Sequence, residues 1–470
     1  MRMIIGGEWV DKDEKIDEQN PYDGSVIDTV PRGTAEDVDK AISAAVEGYE
    51  ISRNLSVDKR IKILKKTADL MQERYESLAV TIATEGSKTI REARKEVDRA
   101  INTITISAEE ARRLNGETIP FDSAQGSENR VGYYYRFPIG IIGAITPFND
   151  PLNLTAHKLG PAVAGGNSVV LKPATVTPLS ALILGEIMIE AGLPGEIISV
   201  ITGYGSEIGD PLVQDERIRM ISFTGGVEAG ERIVKMAGLK KIGMELGSNS
   251  PVIVMDDCNI KDAVEACVSG SFWAVGQNCI GVQRIYIQRK IYDEFRDKFV
   301  ARTNKYKTGY QLDEDTDMGP MITEAEAKRV IEWVEDAVAK GAKVLTGGTR
   351  QGSLVKPTVL ENVSADAKLD CEEIFGPTVN LYPVDNLEEA VKKSNAVDYG
   401  LHGAIFTNNL NNAFYAIKNM DVGGIMVNDS TDYRVDLMPF GGVKKSGLGR
   451  EGIRHSLQEM TEPKVVCFNL

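Results

Sequence analysis

"IGIIGAITPFND", residues 139–150, decides the fold. It opens on an apolar run short enough for a buried strand and closes on Pro, Asn and Asp, which mark a turn. Three stretches of the same build follow: "NSVVLKPAT" (167–175), "IISVITGYG" (197–205) and "MISFTGG" (220–226). Helical stretches lie between them: "NLTAHKLGPAVAG", "PLSALILGEIMIEAGL" and "GSEIGDPLVQD". Strand, helix, strand at this spacing predicts parallel βαβ units in an open, doubly wound α/β sheet. Ligands of such sheets sit beyond the carboxyl ends of the strands. The turns "PFND", "KPAT", "TGYG" and "TGG" are therefore expected to border one crevice.

Further along, "SPVIVM", "RIYIQ", "KVLTGG", "PTVLEN", "VNLYPV", "HGAIFT" and "GIMVND" alternate with helices from about residue 251 to 430 and predict a second α/β lobe. Upstream, the first 30 residues read as short strands and turns. Long helices follow, beginning with "TAEDVDKAISAAVEGYE" behind an S/T-x-x-D cap. Two pieces have strand character but no place in either sheet: "RVGYYYRFP" (130–138) and "EPKVVCFNL" (462–470). They read as simple edge strands or as strands that pair between subunits.

At 470 residues the chain exceeds what one core fills, so more than one lobe is expected. The formal net charge of −15 argues against general binding of nucleic acid or anionic membrane. The five cysteines form no CxxC pair, and no export signal or long apolar run is evident, so free thiols in a cytoplasmic compartment are expected. Three histidines, none in an HxxxH or HExxH pattern, leave little for a metal site, and none is expected.

One cysteine stands apart. "AVGQNCIGVQR" (274–284) sets Cys279 among small and amide residues. Alone it is a weak signal, since buried free cysteines are mostly inert. Other stretches strengthen it: "MELGSNSP" with Glu245, "ITPFND" with Asn149, "VVLKPAT" with Lys172, "CEEIFGP" with Glu373 and the glycine-rich "MPFGGVKKSGLGREG". Together, and in this order along nearly the whole chain, they resemble the aldehyde dehydrogenase superfamily. The branch most similar in feel handles lactaldehyde, non-phosphorylating glyceraldehyde 3-phosphate and phosphonoacetaldehyde oxidation.

The resemblance implies a Rossmann-like NAD(P)-binding domain (1–119 and 139–247), an α/β catalytic domain (248–445) and oligomerisation segments (120–138 and 446–470) that make a homodimer or homotetramer. It implies Cys279 as nucleophile toward an aldehyde, with Asn149 and the Cys279 N–H as oxyanion donors and Glu245 as general base for deacylation. Lys172 resembles the lysine on the adenosine ribose. Glu373 resembles the glutamate on the nicotinamide ribose, with Phe375 nearby and Phe148 in the same cofactor set. Thr224, Gly225 and Gly226 would meet the pyrophosphate at a helix N-terminus, although an ordinary tight turn is the plainer reading of the glycines. NAD-preferring relatives carry a glutamate three residues after the lysine. Here that residue is Thr175, which would not repel a 2′-phosphate, so NADP is expected to be tolerated or preferred over NAD.

For the substrate, Arg99 on "KEVDRAIN", His157 on "NLTAHKLGP" and Arg434 on "STDYRVDLMPFGG" match positions that line the tunnel in relatives. Each has a plainer reading, as an ion-paired arginine, a packed histidine and a surface arginine. Jointly they favour a small polar or anionic aldehyde, of lactaldehyde or glyceraldehyde type. Two alternatives remain. A CoA-acylating semialdehyde dehydrogenase would generally lack the Glu245 carboxylate, and a non-catalytic structural paralogue would have no need to keep Cys279, Glu245 and Asn149 together.

Overall fold

The computed structural model describes residues 1–470, and in it the apolar runs become neighbours. Ile198–Val200, Ser168–Lys172, Ile141–Ile145, Ile218–Thr224 and Lys241–Glu245 lie side by side in that order, all parallel. The hairpin Met3–Ile5 and Glu8–Val10 closes one edge antiparallel, and Gly447–Leu448 closes the other. After the N-terminal hairpin the chain returns to this sheet at Ile141–Ile145, lays two strands on one flank, then crosses to Ile218–Thr224 on the other. The switch point falls between those two strands, and a crevice opens at their carboxyl ends.

The helix Asn153–Gly165 fills the gap between this sheet and the helix Ile90–Glu110, and every one of its residues is buried. That explains why its sequence shows no amphipathic stripe: a helix covered all round has no polar face to display. The surface helices do carry one. The first, Ala35–Ser52, begins at the expected cap, where the Asp37 carboxylate accepts the Thr34 N–H at 2.8 Å.

The second sheet runs Lys343–Thr346, Thr358–Glu361, Thr378–Val384, Val282–Gln288, Ser250–Val254, His402–Phe406, Gly424–Val427, parallel except at its first pair. Its core, including Val252, Ile285 and Leu381, is separate from the one around Ile142, Leu171 and Val200. Only residues 246–249 join Glu245, at the carboxyl end of the first sheet, to Ser250, at the amino end of a central strand of the second. The first sheet therefore meets the interlobe space with its carboxyl ends and the second with its amino ends.

The two pieces without a home pair with each other. Thr461–Asn469 runs antiparallel to Arg130–Pro138 along its full length, and Glu117–Ile119 joins the far side. The third sheet thus begins at Glu117, and its C-terminal strand is Thr461–Asn469. Gly447–Leu448 instead completes the open edge of the first sheet, where the backbone at Met244 and Glu245 has no other strand to pair with. Leu457 and Met460, at the end of the helix Ile453–Glu459, share the core of the first lobe. No helix is long and apolar enough to cross a membrane.

Candidate active site

The loop before Cys279 is strained. Ala274, Val275 and Gly276 have φ of 49°, 62° and 65°, a left-handed run that a β-branched valine rarely enters. Gly276 is required there, because a Cβ would stand 2.3 Å from the Gly376 carbonyl oxygen. Buried polar groups hold the run in place. The Glu92 carboxylate accepts the Ala274 N–H at 2.9 Å while also accepting the Thr89 N–H at the start of its own helix. Gln277 accepts the Ile322 N–H at 3.0 Å, and Asn278 Oδ1 accepts the Ile280 N–H at 3.0 Å. Strain of about 1–3 kcal/mol per residue persists only when neighbours fix it this firmly.

Asn149 is set from the other lobe. Glu96 Oε1 accepts the N–H groups of Leu152 and Asn153 at 2.9 and 3.1 Å, and Lys88 bridges Glu96 to Asp150. Asn149 and Cys279 meet on the wall of one cavity of about 460 Å³. Neither the Asn149 amide nor the Cys279 N–H is spent on a protein acceptor. Burial pushes the Cys279 thiol up to about 12; the Arg434 guanidinium opposes the rise, while Glu373, Glu245 and Glu451 reinforce it.

Glu245 lies off that wall. Its carboxyl is buried toward Gly441, Arg450 and Glu451, and Oε2 has no hydrogen-bond partner. A 20 Å³ cavity beside it has room for a single water. Burial raises its carboxyl well above the usual range, with Glu451 adding to the rise and Lys158, Arg434 and Arg450 opposing it. Glu451 goes the other way. It is buried too, but the Lys158 ammonium bonded to it draws it down to about 2. Of two adjacent buried carboxyls, burial thus pushes one up while Lys158 draws the other down.

The expected cofactor residues gather at the carboxyl ends of the first sheet. Lys172 is buried, and its ammonium bonds only the neighbouring Pro173 carbonyl at 2.9 Å, which leaves donors unspent. Desolvation pulls it down to about 8. Thr224 accepts from Lys158 at 2.8 Å, and Gly225 donates to the Glu245 carbonyl. Gly226 caps the helix Val227–Ala237 without a side-chain bond, and a Cβ there would meet nothing within 4 Å. A helix N-terminus with free N–H groups and open space in front suits an anion. Thr175 donates to the Gly203 carbonyl at 3.0 Å. Phe148 and Phe375 meet edge to face at 5.7 Å, and Glu373, pushed up to about 8 by burial, accepts the Ser248 N–H at 2.8 Å. The residues present fit a dinucleotide.

Of the three residues expected to hold substrate, two reach the cavity. Arg99 lines it, with its guanidinium on Asp150 at 3.2 Å and Asp436 at 3.0 Å. Arg434 lines it with the guanidinium over Phe440. His157 does not. It is fully buried behind the wall, with Nε2 2.9 Å from Asp436, and Leu154 is the residue of its helix that faces the space. Spacing places a residue on a helix; which face is covered depends on the packing of a helix that is buried all round. Lys95, Asp150, Trp273, Asp429 and Asp432 also line the cavity and were not singled out from the sequence. Lys95 sits one turn before Arg99, so the helical period alone could have flagged it.

A model of the aldehyde dehydrogenase family matches residues 9–466. Aspartate-semialdehyde dehydrogenase 1 of Pseudomonas canavaninivorans is 47% identical over 97% of both chains. The 3-sulfolactaldehyde dehydrogenase of Priestia aryabhattai is 46% identical over 100% of this chain and 98% of its own. Glyceraldehyde-3-phosphate dehydrogenase GapN from Methanocaldococcus jannaschii, solved with NADP, superposes with a TM-score of 0.94 at 40% identity, covering 98% of this chain and 100% of its own.

Proposed function

The chain belongs to the aldehyde dehydrogenase family, and from that premise we propose that it oxidises a small polar or anionic aldehyde to its acid through a covalent Cys279 intermediate. The observation that carries the reading is the pairing of Cys279 with two unspent donors, the Asn149 amide and its own N–H, around one cavity. The thiolate sulfur adds to the aldehyde carbon, and the oxygen that becomes negative needs donors that are free beforehand. Arg434 supplies the positive charge that favours thiolate over thiol.

Lys172, Glu373 and the Thr224–Gly226 turn are suited to hold the dinucleotide, with the neutral Thr175 leaving room for NADP as well as NAD. The chemistry that a bound NAD(P)⁺ supplies is acceptance of hydride from the former aldehyde carbon. The resulting thioester is hydrolysed by water, with Glu245 as base. Burial and Glu451 raise the Glu245 carboxyl, so its capacity as a base grows as pH rises. Acylation and deacylation thus both gain as pH rises. The same reading takes the three-stranded sheet, with Tyr133, Tyr135, Val465 and Phe468 exposed, as a subunit contact.

The test is NAD(P)H formation with matching carboxylate formation in the absence of CoA, compared between the native enzyme and Cys279→Ala. Loss of turnover by at least about a thousandfold is expected. Turnover that requires CoA, or that survives the substitution, sinks the reading.

A further inference from the structure

The cavity beside Cys279 holds charges of both signs, and three of them, on Arg99, Asp150 and Arg434, are already committed. Arg99 is bound to Asp150 and Asp436. Arg434 faces Glu451 at 3.7 Å and lies over Phe440. Lys95 and Asp432 are different. Lys95 has no ion pair and no hydrogen bond, and its ammonium rests over the Trp273 ring at 4.9 Å, a contact that leaves its donors free. Asp432 likewise has no cation within ion-pairing distance, although it lines the same space. Gly270 lets the loop that carries Asp432 approach its helix this closely, because a Cβ there would stand 2.0 Å from Ser430 Oγ and 3.1 Å from Asp432 Oδ1. Burial raises the Asp432 carboxyl, with Lys95 among the groups that oppose the rise, so the two sense each other without touching.

We propose that Lys95 and Asp432 set the substrate class: Lys95 takes the distal anionic group of a short aldehyde, and Asp432 takes a hydroxyl or ammonium next to that anion. The inference rests on the aldehyde-oxidising reading of Cys279 and narrows it. An ammonium and a carboxylate without ion-pair partners on one wall match a molecule that presents an anion and a donor on adjacent carbons. Neither serves a plain alkyl chain, which would leave both charges desolvated and unpaired. Arg99 contributes less than its charge suggests, because its guanidinium is bound on two sides.

The experiment is kcat/KM of the intact enzyme on a matched series. Aspartate semialdehyde and 3-sulfolactaldehyde carry anion and donor, succinic semialdehyde the anion alone, lactaldehyde the donor alone, and propanal neither. The native enzyme should favour the first two. Lys95→Met should lower the ratio of succinic semialdehyde to propanal by about 10- to 100-fold, the scale of one charge-assisted hydrogen bond, and Lys95→Arg should recover most of it. Asp432→Asn should lower the ratio of lactaldehyde to propanal by about tenfold. Whichever of aspartate semialdehyde and 3-sulfolactaldehyde loses more in Asp432→Asn tells ammonium from hydroxyl. Ratios that stay level in both variants overturn the proposal. If no member of the series, propanal included, gives Cys279-dependent turnover, the aldehyde-oxidising reading itself falls, which is a distinct result.

Discussion

The two sheets meet the same space by opposite ends, and their loops there differ in kind. The first sheet offers its carboxyl ends, where turns such as Thr224–Gly226 lead into helices and the N–H groups at the helix start remain free. The second offers its amino ends, where the chain enters strands through strained segments: Ala274–Gly276 before Val282, and Phe375 at φ 45° before Thr378. One face is regular and receptive to an anion. The other is held under strain by buried side chains. This division suits a cofactor that must bind and leave on one side and a nucleophile that must not move on the other.

The sharpest way to break the contrast is at Asn149, the proposed oxyanion donor that the first lobe supplies. Asn149→Ala removes a preorganised oxyanion donor and should lower kcat by about 100- to 1,000-fold, while dinucleotide affinity measured by calorimetry holds. An equal loss of affinity would show that the two faces are not separable.

Glu92→Gln tests the strain. Only one of the two N–H groups now received by the carboxylate keeps an acceptor, so stability should fall by about 1–3 kcal/mol, read from thermal unfolding. Because the loop carries Cys279, kcat should fall roughly 10- to 100-fold. The unpaired carboxyl-to-amide change leaves the first sheet untouched, so NADP affinity is the internal control.

Charge at the nucleophile comes next. The thiolate grows as pH rises, and Arg434 favours it, so kcat/KM should climb toward alkaline pH. Arg434→Gln should move that climb to higher pH, with about a tenfold loss at neutral pH for a shift of one unit. Arg434→Lys, which keeps the charge, should shift it less. A profile that moves to lower pH would contradict the assignment.

The smallest effect is expected at the cofactor end. Thr175→Glu places a carboxylate near the expected ribose position and should reduce the preference for NADP over NAD by several-fold or more, from repulsion of the 2′-phosphate. An unchanged ratio would place the 2′-position elsewhere.

Much of this site is legible in the sequence, and the misses share a cause. Cys279, Asn149, Lys172 and Glu373 stand in distinctive local motifs at strand ends, which sequence displays directly. His157 matches a tunnel position of relatives, but the packing of its helix, buried all round, turns it away from the cavity. Lys95 and Asp432 carry no local signal of their own, since a lysine on a charged helix and an aspartate in a loop are usually surface charges. Glu92 caps its own helix, but its second oxygen reaches Ala274, 182 positions away in the chain.

The sequence by itself determined the order of strands and helices, the turns that bound them and the residue types that reach the site, because periodicity and turn chemistry act within a few residues. Tertiary structure decided which charges are spent. Arg99 is committed by an aspartate 337 positions away, Lys158 by a glutamate 293 positions away, and Lys95 by none. Whether a charge is paired or free depends on distances of a few ångströms between segments remote in the chain. Packing two lobes across a four-residue connection sets those distances, and local sequence does not carry them.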